Sequence, residues 1–165
     1  MDKVFHHSKW ERLISPERAQ MTNPEDFFAA VSPPADSTWA DIGCGPGFFT
    51  LPLAARVEKV LAVDISQEML DVCKQRAEAA HVENIDYVTV TDSKLPFEKK
   101  SVDFLLLVAI LHEYDNREGA VRELYRVLRP GGRLYIIDWK YEEMEVGPPL
   151  DHRLPEKQVG DEMTS

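Results

Sequence analysis

Short apolar segments alternate with amphipathic ones through the middle of the chain. The apolar segments cover about residues 38–42, 59–63, 85–90, 102–110 and 133–138. Three segments between them repeat apolar side chains at helical spacing and cover about residues 48–57, 66–80 and 116–128. Strands that alternate with helices predict an α/β fold, a Rossmann-like, doubly wound and mostly parallel sheet with right-handed crossovers.

Two further helices are predicted before this alternation. Ser15-Pro16-Glu17 and Asn23-Pro24-Glu25 each combine an N-cap residue, a proline at the first helical position and an acid in the first turn. The paired prolines at 33 and 34 cannot continue a helix, so a linker is expected there. Near the other end of the chain, Arg129-Pro130-Gly131-Gly132 predicts a turn before the last strand.

These boundaries suggest three parts. We expect an N-terminal helical lid with its linker over residues 1–35, a Rossmann-like core over 36–140, and an acidic linker with the start of a helix over 141–165. The lid hypothesis rests on the proline pair as a hinge and on the aromatic side chains that precede it.

Composition narrows the class of protein. At 165 residues, with 44% hydrophobic and 29% charged residues, the chain has the size and content of one globular domain. A formal charge of −10 argues against nucleic-acid or anionic-membrane partners. The longest apolar run is too short to span a bilayer, and the N-terminus lacks a signal-peptide pattern. The two cysteines have no metal-ligand spacing. These features predict a cytoplasmic protein without a metal.

The most informative stretch lies around the end of the first strand. Asp41 is followed by glycines at alternating positions, Gly43, Gly45 and Gly47, and then by a helical pattern. The pattern predicts a strand, a tight turn whose backbone approaches a ligand, and a helix start. A dinucleotide-binding turn needs its third glycine where this chain has Phe48, which disfavours a nicotinamide-dependent oxidoreductase.

Acidic and polar side chains follow the other strands at the edge where such sheets bind ligands. Asp64 follows the second strand, Asp92 and Ser93 follow the third, and His112-Glu113 follows the fourth. The glycine turn contains no Lys or Arg, so a phosphate is disfavoured. A ligand with a ribose, an adenine and a positive centre fits better. Asp64 is placed to accept from both ribose hydroxyls and Asp92 from the adenine amino group.

Four motifs in one order carry a family resemblance. They are DIGCGPGF at 41–48, Asp64, DSKLPF at 92–97 before SVDF, and LYRVLRPGGRL at 124–134. The chain resembles the class I S-adenosylmethionine-dependent methyltransferases of the small-molecule, UbiE-like type, over roughly residues 39–140. The resemblance implies a strand order of 3-2-1-4-5, the cofactor S-adenosyl-L-methionine and the product S-adenosyl-L-homocysteine.

The resemblance also implies roles for single residues. Those that would contact the cofactor are Asp41, Gly43, Cys44, Gly45, Gly47, Asp64, Ile65, Asp92, Ser93 and Ile110. The turn would hold the methionine portion, and Ile65 would lie against the adenine. His112 and Glu113 are the candidates for contact with a small-molecule acceptor, with Asp138 behind them. Methyl transfer is an in-line displacement, so the protein contributes mainly alignment and exclusion of water, and a base only where the acceptor is protonated.

The resemblance is incomplete at the C-terminus. The family adds sixth and seventh strands as an antiparallel edge, and the sequence contains neither. Two explanations stay open: a piece of a longer protein, or a short member that completes its edge as a homodimer. Because an exposed apolar edge strand favours aggregation, we predict that residues 141–165, a further segment or a second subunit covers the fifth strand.

Two other classes of function compete with a methyltransferase of small molecules. A degenerate fold could hold the cofactor or a partner without turnover. A nucleic-acid methyltransferase is disfavoured by the acidic charge and by Leu111-His112-Glu113-Tyr114, which stands where such enzymes carry an Asn/Asp-Pro-Pro-aromatic run.

Overall fold

A five-stranded sheet in the order β3-β2-β1-β4-β5 forms the centre of the computed structural model, which describes residues 6–164. The strands are β1 (Thr38–Ile42), β2 (Lys59–Asp64), β3 (Ile85–Thr89), β4 (Val102–Val108) and β5 (Leu128–Ile137). All four neighbouring pairs are parallel. The predicted fold class and strand order are therefore confirmed.

Helices cover both faces of this sheet. They are α1 (Pro16–Met21), α2 (Pro24–Val31), α3 (Thr50–Ala54), α4 (Gln67–Ala79), α5 (Arg117–Val127) and α6 (Glu156–Thr164), with 3₁₀ helices at His7–Ile14, Leu111–Glu113 and Leu150–His152. In β4, Leu106 belongs to the core under α2, α3 and α4, whereas Leu105 and Leu107 belong to the core under α5. Burial on both faces explains the continuous apolar run of this strand.

The predicted helix starts are present. The Ser15 side chain accepts a hydrogen bond from the Arg18 amide, and the Asn23 side chain accepts from that of Glu25. The helix predicted over 48–57 is shorter, Thr50–Ala54, because residues 48 and 49 still belong to the turn after β1. Pro52 is tolerated because it lies within the first turn, where backbone donors have no intrahelical partner.

The predicted turn at 129–132 is wrong as a strand boundary. β5 already begins at Leu128, opposite Val102, and its next pair joins Arg133 to Phe104. Residues 129–132 therefore form a bulge opposite the single residue Asp103. Because the bulge interrupts the ladder without reversing the chain, the strand continues through it.

The C-terminal segment lies on the face of the sheet that α5 covers. The Arg117 guanidinium pairs with Glu162 of α6 at 2.9 Å, and Val159 and Met163 pack against the same core as Leu124. β5 has only β4 as a strand partner within residues 6–164. Whether its outer edge is covered stays a prediction. In the described part of the chain, no helix is both long and apolar enough to cross a membrane.

Candidate functional site

The turn after β1 is fixed to the end of β2 by backbone and carboxylate hydrogen bonds. The amides of Gly43 and Cys44 donate to the Val63 carbonyl at 2.8 and 3.0 Å. The Asp64 carboxylate accepts from the Gly45 amide at 2.8 Å and from the Ser66 amide at 2.9 Å. One acid thus connects the glycine turn to the start of α4, so the turn is preformed.

The three glycines of this turn serve different purposes, although all have positive φ angles of +72°, +54° and +86°. A Cβ on Gly43 would lie 2.6 Å from Ile110 Cγ2, and one on Gly47 would lie 2.6 Å from Cys73 Sγ. A Cβ on Gly45 would meet only Leu13 Cδ1, at 3.7 Å. Gly43 and Gly47 are therefore required by the protein's own packing, whereas Gly45 borders space that a ligand could fill.

Asp41 lies beneath the turn and is almost completely buried. Its carboxylate accepts a hydrogen bond from the Thr50 hydroxyl at 2.7 Å. Burial raises the pKa of Asp41 to about 7; the charge of Asp64 acts in the same direction and the Thr50 hydrogen bond opposes it. This buried hydrogen bond therefore connects β1, which contains Asp41, to the first residue of α3.

The surroundings of Asp64 combine an acid with an apolar surface. Burial raises its pKa, against the lowering effect of hydrogen bonds from the Ser66, Gly45 and Ile65 amides. The neighbouring Ile65 side chain is 51% exposed, although it is large and apolar. An acceptor for hydroxyl groups thus lies next to an open apolar side chain.

A cleft of about 320 Å³ lies at the end of β3. It is lined by Thr89, Val90, Thr91, Asp92, Lys94, Leu95 and Pro96. Asp92 is exposed, and one of its oxygens accepts the Lys94 amide at 2.7 Å. This acid therefore shapes its own turn and leaves its other oxygen for a ligand. Ser93, half-buried beside it, is not among the lining residues.

A buried histidine and an acid form a pair at the ends of β4 and β5. His112 Nδ1 lies 2.7 Å from Asp138 Oδ1, and the two side chains are 6% and 12% exposed. The same carboxylate also accepts from the Trp139 amide at 2.8 Å and from the His112 amide at 3.3 Å. Because a carboxylate can only accept, the Nδ1 carries the proton, and in the neutral ring the Nε2 is left as an acceptor.

The carboxyl group of Glu113 interacts electrostatically with acids on both sides of it, Asp64 at the end of β2 and Asp138 after β5. Burial raises its pKa to about 7; His112 opposes this shift, and the charges of Asp64 and Asp138 reinforce it. Near neutral pH the carboxyl group therefore exists in both forms, one a donor and one an acceptor. The pKa of the adjacent Tyr114 rises to about 12, chiefly by burial, so its hydroxyl stays protonated.

Two residues of the predicted cofactor set also take part in the protein's own packing. Ile110 covers Gly43, as described above. Cys44 is buried with its thiol 3.6 Å from the Gly45 carbonyl, and burial raises the thiol's pKa well above its ordinary value. A thiol in this environment is an apolar filler, not a nucleophile.

Arg18, in α1, also lies beside the turn and was not among the predicted site residues. Its guanidinium carbon lies 5.8 Å from the centre of the Phe48 ring, directly after the glycine turn. Its Nε is buried and has no hydrogen-bond partner among the described residues. No local signal in the sequence singles it out, because the pattern of the helix in which it lies is ordinary.

Comparison with known proteins matches the central part of the chain to a family. Residues 40–136 match a family described as "Methyltransferase domain". The chain is 43% identical over 96 residues to the biotin biosynthesis bifunctional protein BioHC of Cellvibrio japonicus. The aligned residues cover 58% of this chain and 18% of that protein. It is 34% identical over 155 residues to the ubiquinone/menaquinone biosynthesis C-methyltransferase UbiE of Bartonella tribocorum, covering 87% of this chain and 59% of the relative.

A solved structure is similar over almost the whole chain. The crystal structure of an S-adenosylmethionine-dependent methyltransferase from Aquifex aeolicus superposes with a TM-score of 0.91 at 30% identity, covering 98% of this chain and 87% of that one. The two curated relatives are longer, since this chain spans only 18% and 59% of their lengths.

Proposed function

The chain belongs to the methyltransferase domain family, and from that premise we propose that it transfers a methyl group from S-adenosylmethionine to a small molecule. The observation that carries the proposal is the preformed glycine turn, with open space over Gly45 and with Asp64 bonded to its amide. S-adenosylmethionine supplies, when bound, a methyl group already activated by its sulfonium charge.

The residues around the turn fit the three chemical parts of this cofactor. Gly45 admits the amino-acid portion close to the backbone, because a side chain there would fill the space. Asp64 keeps lone pairs for the ribose hydroxyls, and Ile65 offers an apolar surface to the adenine. Asp92 and Ser93, beside the cleft at the end of β3, would face the adenine edge. Asp41 and Cys44 support this arrangement from below.

The acceptor lies, in this proposal, at the ends of β4 and β5. His112 Nε2 accepts a proton from the acceptor, while Asp138 holds Nδ1–H and stabilises the cation that forms. Glu113, with a pKa of about 7, exchanges a proton nearby or binds a polar group of the acceptor. Burial of the pair excludes water, and the remaining contribution is alignment of the nucleophile.

A quinol is the first acceptor to test, because two relatives carry quinone-type substrates in their names. They are the UbiE protein above and the demethylmenaquinone methyltransferase of Tropheryma whipplei, which is 34% identical over 108 residues. A phenolic hydroxyl or ring carbon also matches a site that supplies a base.

We further propose that residues 1–35 cover the cofactor as a lid over the core of residues 36–140. Leu13, which lies over Gly45, supports this role. The first five residues of the proposed lid lie outside the described part of the chain. Binding of S-adenosylhomocysteine is expected to slow proteolysis at residues 6–35, and equal cleavage with and without the ligand would contradict the lid.

The cofactor site is tested by calorimetric titration. S-adenosylhomocysteine is expected to bind saturably, and NAD is not. Asp64→Asn should weaken binding at least about tenfold, because one acceptor oxygen of a charged group is lost. Asp71→Asn, on the exposed side of α4, is the matched control and should leave the affinity unchanged.

The acceptor half is tested by turnover with a demethylated quinol. His112→Gln should lower the rate of S-adenosylhomocysteine formation while leaving its binding intact. Binding of S-adenosylhomocysteine without turnover on any acceptor would favour the non-catalytic module. A folded chain that binds neither S-adenosylhomocysteine nor S-adenosylmethionine would contradict the proposed function altogether.

A further inference from the structure

Trp139 directly follows Asp138, the acid that holds the buried histidine of the candidate site. One oxygen of the Asp138 carboxylate accepts from the Trp139 amide at 2.8 Å and lies 2.7 Å from His112 Nδ1. Parallel sheets bind ligands at the carboxyl ends of their strands, and Trp139 stands at that end of β5. The residue is therefore placed beside the proposed position of the acceptor.

One side of the Trp139 ring is fixed by the loop after β5. The guanidinium of Arg153 lies over the ring, with its carbon 5.6 Å from the ring centre. Gly147 approaches the ring so closely that a Cβ there would lie 2.7 Å from two of the ring carbons. The guanidinium donates to the carbonyls of the residues before and after Gly147, so both contacts come from the same side of the ring. The orientation of the ring is therefore set before any ligand binds.

The rest of the Trp139 side chain has no partner in the described part of the chain. Trp139 is half-buried and belongs to neither of the two apolar cores within residues 6–164. No aromatic ring pairs with it there, and its indole N–H has no acceptor among these residues. Trp39, by contrast, is fully buried, stacks on Phe104 and donates to the Ser37 hydroxyl. Because a tryptophan that serves packing usually satisfies both its ring and its N–H, those of Trp139 are available to a ligand.

The charges around the ring limit the chemistry of that ligand. Asp138 and Glu113 lie at the same edge of the sheet, and Glu142, Glu143 and Glu145 are exposed on the loop. The three loop glutamates make no ion pair within residues 6–164. These acids repel an anionic ligand and can accept hydrogen bonds from hydroxyl groups. The guanidinium already attracts the π electrons on one side of the ring, so the other face favours a neutral, electron-rich partner.

We propose that Trp139 is a specificity-determining residue of the acceptor site, where its open face stacks on a neutral aromatic acceptor that carries a hydroxyl group. The inference rests on the proposed function, because it takes the ends of β4 and β5 as the place of the acceptor. Stacking there aligns the acceptor beside His112, and alignment is the main contribution that methyl transfer requires from the protein. The loop that Arg153 holds thus selects the acceptor, whereas the glycine turn selects the cofactor.

Calorimetry on the protein saturated with S-adenosylhomocysteine tests the stacking with two probes. The first, 1-naphthol, is a neutral aromatic alcohol, and the second, 1-decalol, has the same carbon skeleton and hydroxyl group but no aromatic ring. Trp139→Leu should weaken binding of 1-naphthol about threefold to tenfold, as expected for the loss of an aromatic pair. The same variant should bind 1-decalol within about twofold of the wild type, since a saturated ring gains nothing from stacking.

Two further variants and a charged probe complete the test. Trp139→Phe retains an aromatic ring and should keep most of the preference for 1-naphthol over 1-decalol. Tyr125→Leu removes an exposed aromatic side chain from α5 and should change neither affinity. Circular dichroism and titration with S-adenosylhomocysteine establish that each variant is folded and keeps its cofactor site. The anionic probe 1-naphthol-4-sulfonate should bind the wild type at least about tenfold more weakly than 1-naphthol, because the acids repel it.

The possible outcomes separate this inference from the proposed function. If the wild type does not bind S-adenosylhomocysteine, the proposed function fails and the role of Trp139 fails with it. If S-adenosylhomocysteine binds but 1-naphthol does not, or if Trp139→Leu weakens both alcohols equally or neither, then Trp139 does not stack on the acceptor. Binding of the sulfonate as tight as that of 1-naphthol would overturn the choice of a neutral acceptor. Selective loss of 1-naphthol in Trp139→Leu is the result that supports the inference.

Discussion

Arg153 is buried and Arg18 is half-buried, and the two lie near opposite ends of the chain. The guanidinium of each lies over an aromatic ring. The guanidinium carbon of Arg153 is 5.6 Å from the Trp139 ring centre, and that of Arg18 is 5.8 Å from the Phe48 ring centre. Arg153 donates to four backbone carbonyls in the loop after β5, at 2.7 to 3.3 Å. Arg18 leaves its buried Nε without an acceptor within residues 6–164.

The loop after β5 supplies hydrogen-bond acceptors for its arginine. The described residues around Arg18 leave its Nε without one. Arg153 gathers the carbonyls of residues 140–148 around one side chain and so gives a loop without regular structure a fixed shape. Residues 6–35 provide no comparable acceptor for the Arg18 Nε. Proteins commonly leave such local inconsistencies at functional sites. Four predictions test this contrast.

The largest effect is expected at Arg153. Arg153→Met removes a buried guanidinium and its hydrogen bonds to four backbone carbonyls, and we expect the free energy of unfolding to fall by about 4 kcal/mol. Urea denaturation followed by circular dichroism measures it. Arg129→Met is the control: its side chain is 49% exposed, and a loss below about 1 kcal/mol is expected there. Equal losses in both variants would remove the contrast.

Asp41, beneath the glycine turn, tests whether this region also contains a buried acid whose charged form is destabilised. Its folded pKa of about 7 lies above its ordinary value of 3.8, so the folded state holds a proton that the unfolded state releases. The free energy of unfolding should therefore decrease as the pH rises from about 4 to about 7.

Asp41→Asn, which cannot ionise, should remove this contribution. Relative to the wild type, the variant should gain about 3 kcal/mol between pH 4 and pH 7, measured by denaturation at each pH. Asp71→Asn, at an exposed position, should show no such gain. A wild type and an Asp41→Asn variant with parallel pH profiles would contradict the raised pKa.

The glycines provide a smaller, paired test. Gly43→Ala forces a methyl group against Ile110, whereas Gly45→Ala places it in open space. Both carry a positive φ, which costs about 1 kcal/mol. We expect Gly43→Ala to be about 2 kcal/mol less stable than Gly45→Ala in urea denaturation, because of the added overpacking. Gly45→Ala, in turn, should lose affinity for S-adenosylhomocysteine. A reversed stability order would contradict the packing argument.

The smallest effect is expected for Arg18 in the absence of ligand. Arg18→Met removes a partly desolvated cation that has no ion-pair partner among residues 6–164, so the free energy of unfolding should stay within about 1 kcal/mol of the wild type or rise. Thermal denaturation without ligand, run beside Arg153→Met, gives the comparison. A loss as large as that of Arg153→Met would mean that Arg18 has a structural role.

Much of the fold could be predicted from the sequence, because its signals are local. Buried parallel strands need continuous apolar residues, and the predicted strands match the observed ones within one or two residues, apart from the bulged start of β5. The apolar segment over about residues 102–110 is longer than β4, which ends at Val108. Ala109 turns the chain with a φ of +56°, and Ile110 is apolar because it packs on Gly43. Apolar character alone cannot separate a strand from an apolar turn.

The site was predicted in part. Asp64 and the glycine turn lie together as expected, and Asp138 contacts His112. No local pattern singled out Arg18, because the helix in which it lies has an ordinary sequence. Nor did the sequence indicate that Ile110 would pack on Gly43, whereas Cys44 could be expected to fill space in the turn. Their roles depend on neighbours that are distant in the chain, and no local pattern encodes those neighbours.

The sequence by itself determined the order of strands and helices, the caps of the first helices and the motif that identifies the family, because each depends on residues within a few positions of one another. Only the tertiary structure decided which glycine borders open space and which arginine has acceptors. Those properties arise where Leu13 meets Gly45 and where Arg153 meets the carbonyls of its loop. Burial and hydrogen bonding are determined by the folded neighbourhood, and there the same residue type can be fully bonded or left open for a ligand.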